Sequence, residues 1–196
     1  MPAFKHFSRP RFRWKALVAA LPIVVLFSIG CGSGGDGDGG SEIGKITASE
    51  VIYTIDDFTD FGFKTQKDYD VTDLPGGVAA WVGFWGPDAS NRKDYELRFY
   101  ASHGDAVEYG PALAEEVTGE NALSFRKNPT WEEGAKDRWQ NAFTGDLQAS
   151  SVSGPSPKYG DYIIFGNVLM LCEGADSGQG LERCRALVGE LTAEVE

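Results

Sequence analysis

Histidine is almost absent from this sequence, which has only His6 and His103 among its 196 residues. A single histidine beyond the first thirty residues gives no support to a histidine-rich metal site or an H-E-x-x-H protease, and no G-x-S-x-G hydrolase motif occurs. His103 stands between a predicted strand and a predicted helix, where it suits a turn or a helix start better than a general base. The sequence therefore predicts no catalytic residue, no metal site and no cofactor.

Basic residues are also few, and they are unevenly placed. Five of the 18 lie before residue 16, which leaves 13 against all 29 acidic residues in the rest of the chain, a net charge of about −16. This negative field repels the phosphates of nucleic acids and anionic lipid headgroups. We expect no nucleic-acid partner. The many carboxylates would allow a carboxylate-based hydrolase, but no motif marks a catalytic pair.

The apolar segment near the start of the chain is too short to span a bilayer. It reads "ALVAALPIVVLFSI" from Ala16 to Ile29, and these 14 uncharged residues would form a helix of about 21 Å. A hydrocarbon core is about 30 Å thick. Five basic residues and no acidic one precede the segment, which is the pattern of a secretory signal peptide. We assign residues 1–30 to this leader.

Cysteine occurs three times, and Cys31 follows the apolar segment almost directly. The stretch from Ser28 through Gly30 to Cys31 resembles a bacterial lipobox, in which the cysteine thiol receives a diacylglycerol and the bond before the cysteine is cleaved. Gly30 suits the small residue before the cut, whereas Ser28 departs from the more usual leucine. The resemblance implies a protein anchored by lipid in the bacterial cell envelope and facing the extracytoplasmic side. The alternative is a plain secreted protein with an incidental cysteine.

Glycine is plentiful just after Cys31, in the stretch "GSGGDGDGGSE". Such a stretch has nothing to bury, and glycine is entropically costly to order. A Gly-rich coil of a dozen residues has a root-mean-square span of roughly 20 Å. We therefore interpret residues 31–42 as a lipidated cysteine and a flexible tether that holds a domain close to the membrane.

The two remaining cysteines, Cys172 and Cys184, are predicted to form a disulfide, because exported domains usually pair their cysteines. Cys172 ends the apolar stretch "DYIIFGNVLMLC", which reads as one buried strand. Cys184 lies in a closing helix with apolar residues at helical spacing, namely Leu181, Leu187, Val188, Leu191 and Val195. Two free thiols are the alternative, but no zinc-site spacing is present.

Residues 43–196 are predicted to form a single small α+β domain, with an antiparallel sheet and helices packed on one of its faces. The segments Gly77–Gly86 and Tyr95–Ser102 read as a strand hairpin. A helix is predicted after Ser102 and should end at Gly119, with Pro111 kinking or splitting it.

A second, weaker helix is predicted to begin at Thr130, which with Glu133 has the spacing of a capping box. Between this helix and the buried strand, the stretch from Ser150 to Gly160 is rich in Ser, Pro and Gly and reads as a long loop.

Alternation in the hairpin suggests one candidate ligand-binding face. Because alternate residues of a strand share a face, two tryptophans would lie on one side of the first strand. If they share a face with the polar side of the second strand, they form an aromatic platform able to stack flat ligands or hold cations. Its residues would be Trp81, Trp85, Glu96, Arg98 and Tyr100. The alternative is that other elements cover the indoles and that Gly83 merely permits close packing.

The lipobox, the tether and one small acidic domain together resemble uncharacterised bacterial lipoprotein families. This resemblance is specific for residues 1 to about 40 and transfers no active site. The expected function is a lipid-anchored ligand-binding or sensing module without catalysis, with a small molecule as partner. The alternative is an envelope structural protein whose partner is another envelope protein.

Overall fold

The computed structural model describes residues 43–124, 126–141 and 155–193, all within the compact unit Ser41–Glu196. The leader, Cys31 and the tether lie outside the described residues. No helix in the described part of the chain is long and apolar enough to cross a membrane.

A six-stranded sheet and three helices make up the fold. In chain order the elements are β1 (Ile46–Thr47), α1 (Ile55–Asp60), β2 (Lys64–Asp68), β3 (Gly77–Trp85), β4 (Lys93–Tyr100), α2 (His103–Glu115), a 3₁₀ turn (Ala135–Arg138), β5 (Trp139–Asn141), β6 (Pro155–Pro157), β7 (Tyr159–Phe165), β8 (Val168–Glu173) and α3 (Ser177–Ala193). The spatial order of the sheet is β1-β7-β8-β4-β3-β2. Every pair is antiparallel except β1 with β7, and β5 with β6 forms a separate ribbon. The predicted α+β class is confirmed.

The predicted hairpin is present as β3 and β4, which pair antiparallel along nearly their whole length. The apolar run predicted as a single strand is instead a second hairpin, β7 and β8. Gly166 opens its turn at a φ of 55°, a conformation that glycine adopts at little cost. The sequence carried this signal as a Gly-Asn pair inside the apolar run, where the hydrophobic residues on both sides obscured it.

Asn167, the second residue of this turn, joins three parts of the chain. Its side-chain oxygen accepts a hydrogen bond from the Tyr53 backbone N–H at 2.7 Å, and its amide nitrogen donates to the backbone carbonyls of Tyr53 and Tyr100, each at 3.0 Å. The residue is almost completely buried. A buried amide with its bonds satisfied in this way fixes the turn against the segments before α1 and after β4.

The helices lie on both faces of the sheet, whereas the sequence predicted one face. In β8, Met170 and Cys172 pack with α1 and α3, while Leu169 and Leu171 pack with α2. The physical reason is that β7 is buried at every residue, and β8 at all but the last. A strand that is apolar on both sides requires cover on both.

Helix α2 runs unbroken through Pro111 and ends at Glu115, so Pro111 does not split it. Gly119, which was predicted to end the helix, lies four residues beyond it with a φ of 65°, and its backbone N–H donates to the Tyr159 carbonyl instead of to the helix. Gly110 lets the helix approach the sheet closely, since a Cβ there would lie 2.5 Å from the Leu169 side chain.

The second predicted helix, from Thr130, is wrong: the segment is irregular up to the 3₁₀ turn and then forms β5. The Thr130 hydroxyl donates to the Glu116 carboxylate at 2.6 Å instead of capping a helix. Gly134 adopts a φ of 68° and packs against the Tyr69 ring, which breaks any helical path. Of the predicted loop from Ser150 to Gly160, residues 150–154 lie outside the described residues, and most of the remainder is not loop but β6 and the start of β7.

The closing helix is confirmed as α3, which buries Cys184, Leu187, Val188 and Leu191; Val195 lies outside the described residues. The predicted disulfide is also present, joining Cys172 of β8 to Cys184 with their Cα atoms 5.6 Å apart. Both cysteines are fully buried. The bond therefore links α3 covalently to the sheet inside the core.

We predict that replacing both cysteines by alanine lowers the free energy of unfolding by about 3 kcal/mol, because the bond closes a short loop in the unfolded chain. Denaturant unfolding of the double variant beside the parent protein measures the loss. Peptide mapping without reductant should find Cys172 linked to Cys184. Complete alkylation of both thiols in unreduced, unfolded protein would refute the bond.

Candidate functional site

The hairpin register separates the residues of the predicted aromatic platform. Residues that pair directly across antiparallel strands share a face. Trp81 pairs with Leu97, whereas Glu96 pairs with Val82 and Arg98 with Ala80. The two tryptophans therefore lie on the face of α1 and α3, and the three polar residues lie on the face of α2. The single platform of Trp81, Trp85, Glu96, Arg98 and Tyr100 does not exist.

The two indoles belong to the packing of the α1 and α3 face. Trp85 is only 9% exposed and meets the Phe61 ring edge-on at 6.1 Å. Trp81 is partly buried against the same core. The gap at Gly83 is filled by the Phe63 ring, because a Cβ there would lie 2.5 Å from Phe63 Cε1. The alternative interpretation, that the glycine permits close packing, accounts for this arrangement.

The opposite face of β4 holds a buried group of charges, which we call the Glu96 cluster: Glu96, Arg98 and Arg138. Arg138 donates from Nε to Glu96 Oε2 at 2.7 Å and from Nη2 to Oε1 at 3.1 Å, while Arg98 Nε donates to Oε1 at 2.8 Å. No member is more than 1% exposed. Charges buried this deeply persist only when they are paired and hydrogen-bonded.

Trp131 covers both arginines of the cluster. Its ring lies 4.9 Å from the Arg98 guanidinium and 4.5 Å from that of Arg138, distances typical of cation–π contacts. Arg138 Nη1 donates to the Trp131 carbonyl at 3.2 Å, and the Tyr69 ring meets the indole edge-on at 5.8 Å. Trp131 is only 2% exposed, so it closes the cluster from solvent.

Four buried polar atoms around this cluster have no hydrogen-bond partner among the described residues. They are Arg98 Nη1, Trp131 Nε1 and the hydroxyls of Tyr100 and Tyr159. A buried polar atom left unpaired costs about 1–3 kcal/mol. Native proteins contain few such atoms, and each calls for an explanation such as a water, an ion or a functional role.

The electrostatics of the cluster leave one surplus positive charge, since two guanidiniums face one carboxylate. Burial alone would raise the pKa of Glu96, but the charges and hydrogen bonds of Arg138 and Arg98 outweigh it and hold this pKa below its ordinary value. Burial raises the pKa of Tyr100, although the charge of the neighbouring Arg98 and a loose hydrogen-bonding contact with it, outside ideal geometry, act in the opposite direction. Burial raises the pKa of Tyr159 further. Glu96 is therefore ionised and both phenols are neutral at physiological pH.

Two open pockets flank the irregular segment that carries Trp131. An acidic pocket of about 670 Å³ is lined by Asp70, Asp73, Thr130, Trp131, Glu132 and Glu133. On the other side is a cleft of about 450 Å³ whose lining includes three lysines, Lys67, Lys127 and Lys136, together with Glu132 and Asp137. Lys67 is bonded to Asp137 at 3.4 Å.

His103 serves the start of α2, as predicted from its position. It is the first residue of the helix, and its Nδ1 lies 2.7 Å from the Gly166 carbonyl oxygen. Within the described residues no group of histidines, cysteines and carboxylates is arranged to hold a metal ion.

Sequence reasoning found Glu96, Arg98 and Tyr100 but missed Arg138, Trp131 and Tyr159. The signal for a buried charge pair was present, because Glu96 and Arg98 alternate with Leu97 and Phe99 in one strand. No local pattern pointed to Arg138, which lies 42 residues further along the chain than Glu96.

We predict that Glu96→Gln lowers the free energy of unfolding at pH 7 by about 3–5 kcal/mol, because it leaves two buried guanidiniums without their carboxylate. The lowered pKa means that the stabilisation from Glu96 is complete above the ordinary glutamate pKa of about 4.3 and is lost as the pH falls toward the lowered value. The difference in free energy of unfolding between variant and parent should therefore become smaller as the pH falls. Denaturant unfolding from pH 3 to 7 measures it, with the exposed Glu190→Gln as control. Equal stability of the Glu96 variant and the parent at pH 7 would contradict the role given to the cluster.

Comparison with known proteins gives one match. Residues 54–193 match DUF6810, described as a family of unknown function. No curated protein and no solved structure matches the chain. The matched residues run from the cap of α1 to the end of α3 and include the whole Glu96 cluster with Trp131, Tyr100 and Tyr159. The chain therefore belongs to the DUF6810 family of unknown function.

Proposed function

We propose that this protein is a lipid-anchored, extracytoplasmic binding module of the bacterial cell envelope, which takes a small molecule at the Glu96 cluster beneath Trp131. The observation that carries the proposal is the group of four unpaired polar atoms around two buried arginines. A bound ligand would supply their missing partners.

The unpaired atoms belong to one neighbourhood of the sheet. Arg98 and Tyr100 are alternate residues of β4 on the α2 face, and the Trp131 ring covers Arg98. Tyr159 packs in the same apolar group as Tyr100, and its pKa responds to the charges of Glu96 and Arg138. Unpaired atoms scattered over a protein would be individual defects, whereas atoms gathered around one charge cluster support a site.

The chemistry of these groups supports binding without catalysis. General acid–base catalysis works best when a group titrates near the operating pH. Here an arginine is always protonated, the phenols have raised pKa values, and Glu96 is ionised with both oxygens already bonded. These groups can hold and orient a ligand, but none is poised to exchange a proton with it.

The anchoring part of the proposal is supported by the leader sequence. A basic segment, a short apolar segment and a small residue precede Cys31, and a Gly-rich stretch follows it. Two acyl chains hold a protein stably at a membrane where one chain does so only marginally, which suits a diacylglycerol on Cys31.

A second candidate function, docking to another envelope protein, is favoured by a different observation. Three apolar side chains are exposed in the short stretch before α1: Ile46, Val51 and Ile52 are each between 41% and 56% accessible. Clustered exposed apolar side chains are a common mark of interaction surfaces.

We predict that a small molecule remains bound when the full-length protein is purified from its own membranes in mild detergent. Native mass spectrometry should find an added mass, and compounds of the same class should raise the melting temperature of protein stripped of it. Trp131→Phe should weaken the interaction, whereas Trp81→Phe, on the opposite face, should not. If no added mass is found and no compound in a panel of acids, amines, sugars and aromatic compounds shifts the melting temperature, the result would contradict small-molecule binding and favour the docking function.

We also predict that Cys31→Ser abolishes fatty-acid labelling and leaves an uncleaved precursor, because the thiol is the acyl acceptor. Metabolic labelling with a radioactive fatty acid measures the change. The double variant Cys172→Ala with Cys184→Ala is the control, since it keeps Cys31 and should keep its label. Unchanged labelling of Cys31→Ser would refute lipidation at this residue.

A further inference from the structure

We propose that the ligand of the Glu96 cluster is a small organic monoanion, whose carboxylate oxygens accept hydrogen bonds from Arg98 Nη1 and Trp131 Nε1. This inference rests on the proposed function, because it names the chemical class of ligand for the same site.

The donor chemistry of the unpaired atoms points to an acceptor. A guanidinium nitrogen and an indole nitrogen can only donate hydrogen bonds. The hydroxyls of Tyr100 and Tyr159 can donate as well, and as neutral phenols both keep their protons. An ammonium group could pair with neither nitrogen, since it also only donates. A carboxylate only accepts and offers about four lone-pair positions on two oxygens, which matches the available donors.

The charge of the cluster points to an anion with a single charge. Arg138 donates from Nε and Nη2 to Glu96 and from Nη1 to the Trp131 carbonyl, so all three of its guanidinium nitrogens are hydrogen-bonded. Arg98 reaches Glu96 through Nε, and its Nη1 has no partner. The surplus positive charge therefore lies on Arg98. One negative charge beside Arg98 would neutralise the buried group, whereas a dianion would leave an uncompensated negative charge in the interior.

The position of Trp131 limits the size of the ligand. The indole lies 4.5 and 4.9 Å from the two guanidiniums, which is stacking distance and leaves no space for another ring between them. A ligand must therefore bind beside this stack, at the Nη1 side of Arg98. Both unpaired nitrogens are buried, so the anion can have only a few heavy atoms, as formate and acetate have, and it reaches them only when Trp131 moves.

The surroundings offer such an anion one favourable approach. In a chain with 29 acidic residues, the cleft on one side of the Trp131 segment has three lysines and two carboxylates, a net charge of +1, whereas four carboxylates and no basic residue line the pocket on the other side. The cleft reaches Gly134 and Asp137, and both of these contact the Tyr69 side chain that packs on Trp131. Local positive charge raises the concentration of anions near a site. Movement of Trp131 would then connect the cleft with the cluster.

The test uses full-length, detergent-solubilised protein after removal of any bound molecule, at constant ionic strength. Formate and acetate are titrated while melting temperature and indole fluorescence are followed, beside methylammonium and glucose as cationic and neutral probes. We expect formate and acetate to raise the melting temperature and to change the indole fluorescence saturably, and we expect neither change with methylammonium or glucose. Tyr100→Phe removes one donor and keeps the ring, and Trp131→Phe removes one donor and leaves a smaller aromatic ring in place, so each should weaken acetate binding about tenfold. Tyr109→Phe, exposed on α2, is the matched control and should bind acetate as the parent does.

Three results would overturn the inference, and they separate it from the proposed function. Saturable binding of methylammonium or glucose that Trp131→Phe weakens would keep a binding module and refute the carboxylate. Acetate binding of equal strength in the parent, Trp131→Phe and Tyr100→Phe would place the anion elsewhere. No saturable response to any of the four probes, with no mass bound to the purified protein, would refute both proposals and leave water as the partner of the unpaired atoms. If Trp131→Phe does not fold, Tyr100→Phe and Tyr159→Phe decide the question.

Discussion

The bidentate ion pair between Arg138 and Glu96 is the interaction on which one side of the fold depends. Helix α2 covers β7 and β8, but much of β3 and β4 on that face is covered by the segment around Trp131, which has no regular structure before its 3₁₀ turn. Such a segment has few backbone hydrogen bonds of its own to hold it. Arg138 holds it instead, because it bonds the sheet through Glu96 and the segment itself through the Trp131 carbonyl. The segment that covers this part of the sheet is thus held in place by the same ion pair that forms the Glu96 cluster.

That arrangement divides the α2 face of the sheet into two apolar groups. One group gathers around Tyr100 and α2, and the other gathers around Trp131 and Tyr69. Glu96 and Arg98 lie in the same strand as Tyr100 and bond to Arg138 beneath Trp131. Replacing buried ion pairs by apolar residues is often neutral or stabilising in other proteins, so the burial of three charges here favours a role beyond stability.

The sequence predicted those parts of the fold that local patterns determine. Period-two alternation located β3 and β4, helical spacing located α3, and two cysteines in a domain predicted to be exported indicated their bond. The register between β3 and β4 could not be read in the same way, because both of its alternatives placed apolar residues on each face. Thr130 and Glu133 had the spacing of a helix cap, yet Glu116 captures the threonine and Gly134 breaks the helix. Arg138 meets Glu96 only through the folded topology, so no local pattern could predict the site.

If the protein is anchored at Cys31, as proposed above, Asn167 has a mechanical consequence. A pull on that end would reach the domain first at Ile43, whose carbonyl accepts a hydrogen bond from Arg185 of α3, and at Lys45, which pairs with Asp161. It would then reach β1, whose parallel pairing with β7 includes backbone hydrogen bonds from Ile164 to Lys45 and from Gly166 to Thr47. Further along the chain, the Asn167 side chain forms hydrogen bonds with both the backbone N–H and the backbone carbonyl of Tyr53. Tension would therefore peel β1 away before it loads Asn167, which would pass the load to the turn between β7 and β8 and, through the Tyr100 carbonyl, to the end of β4.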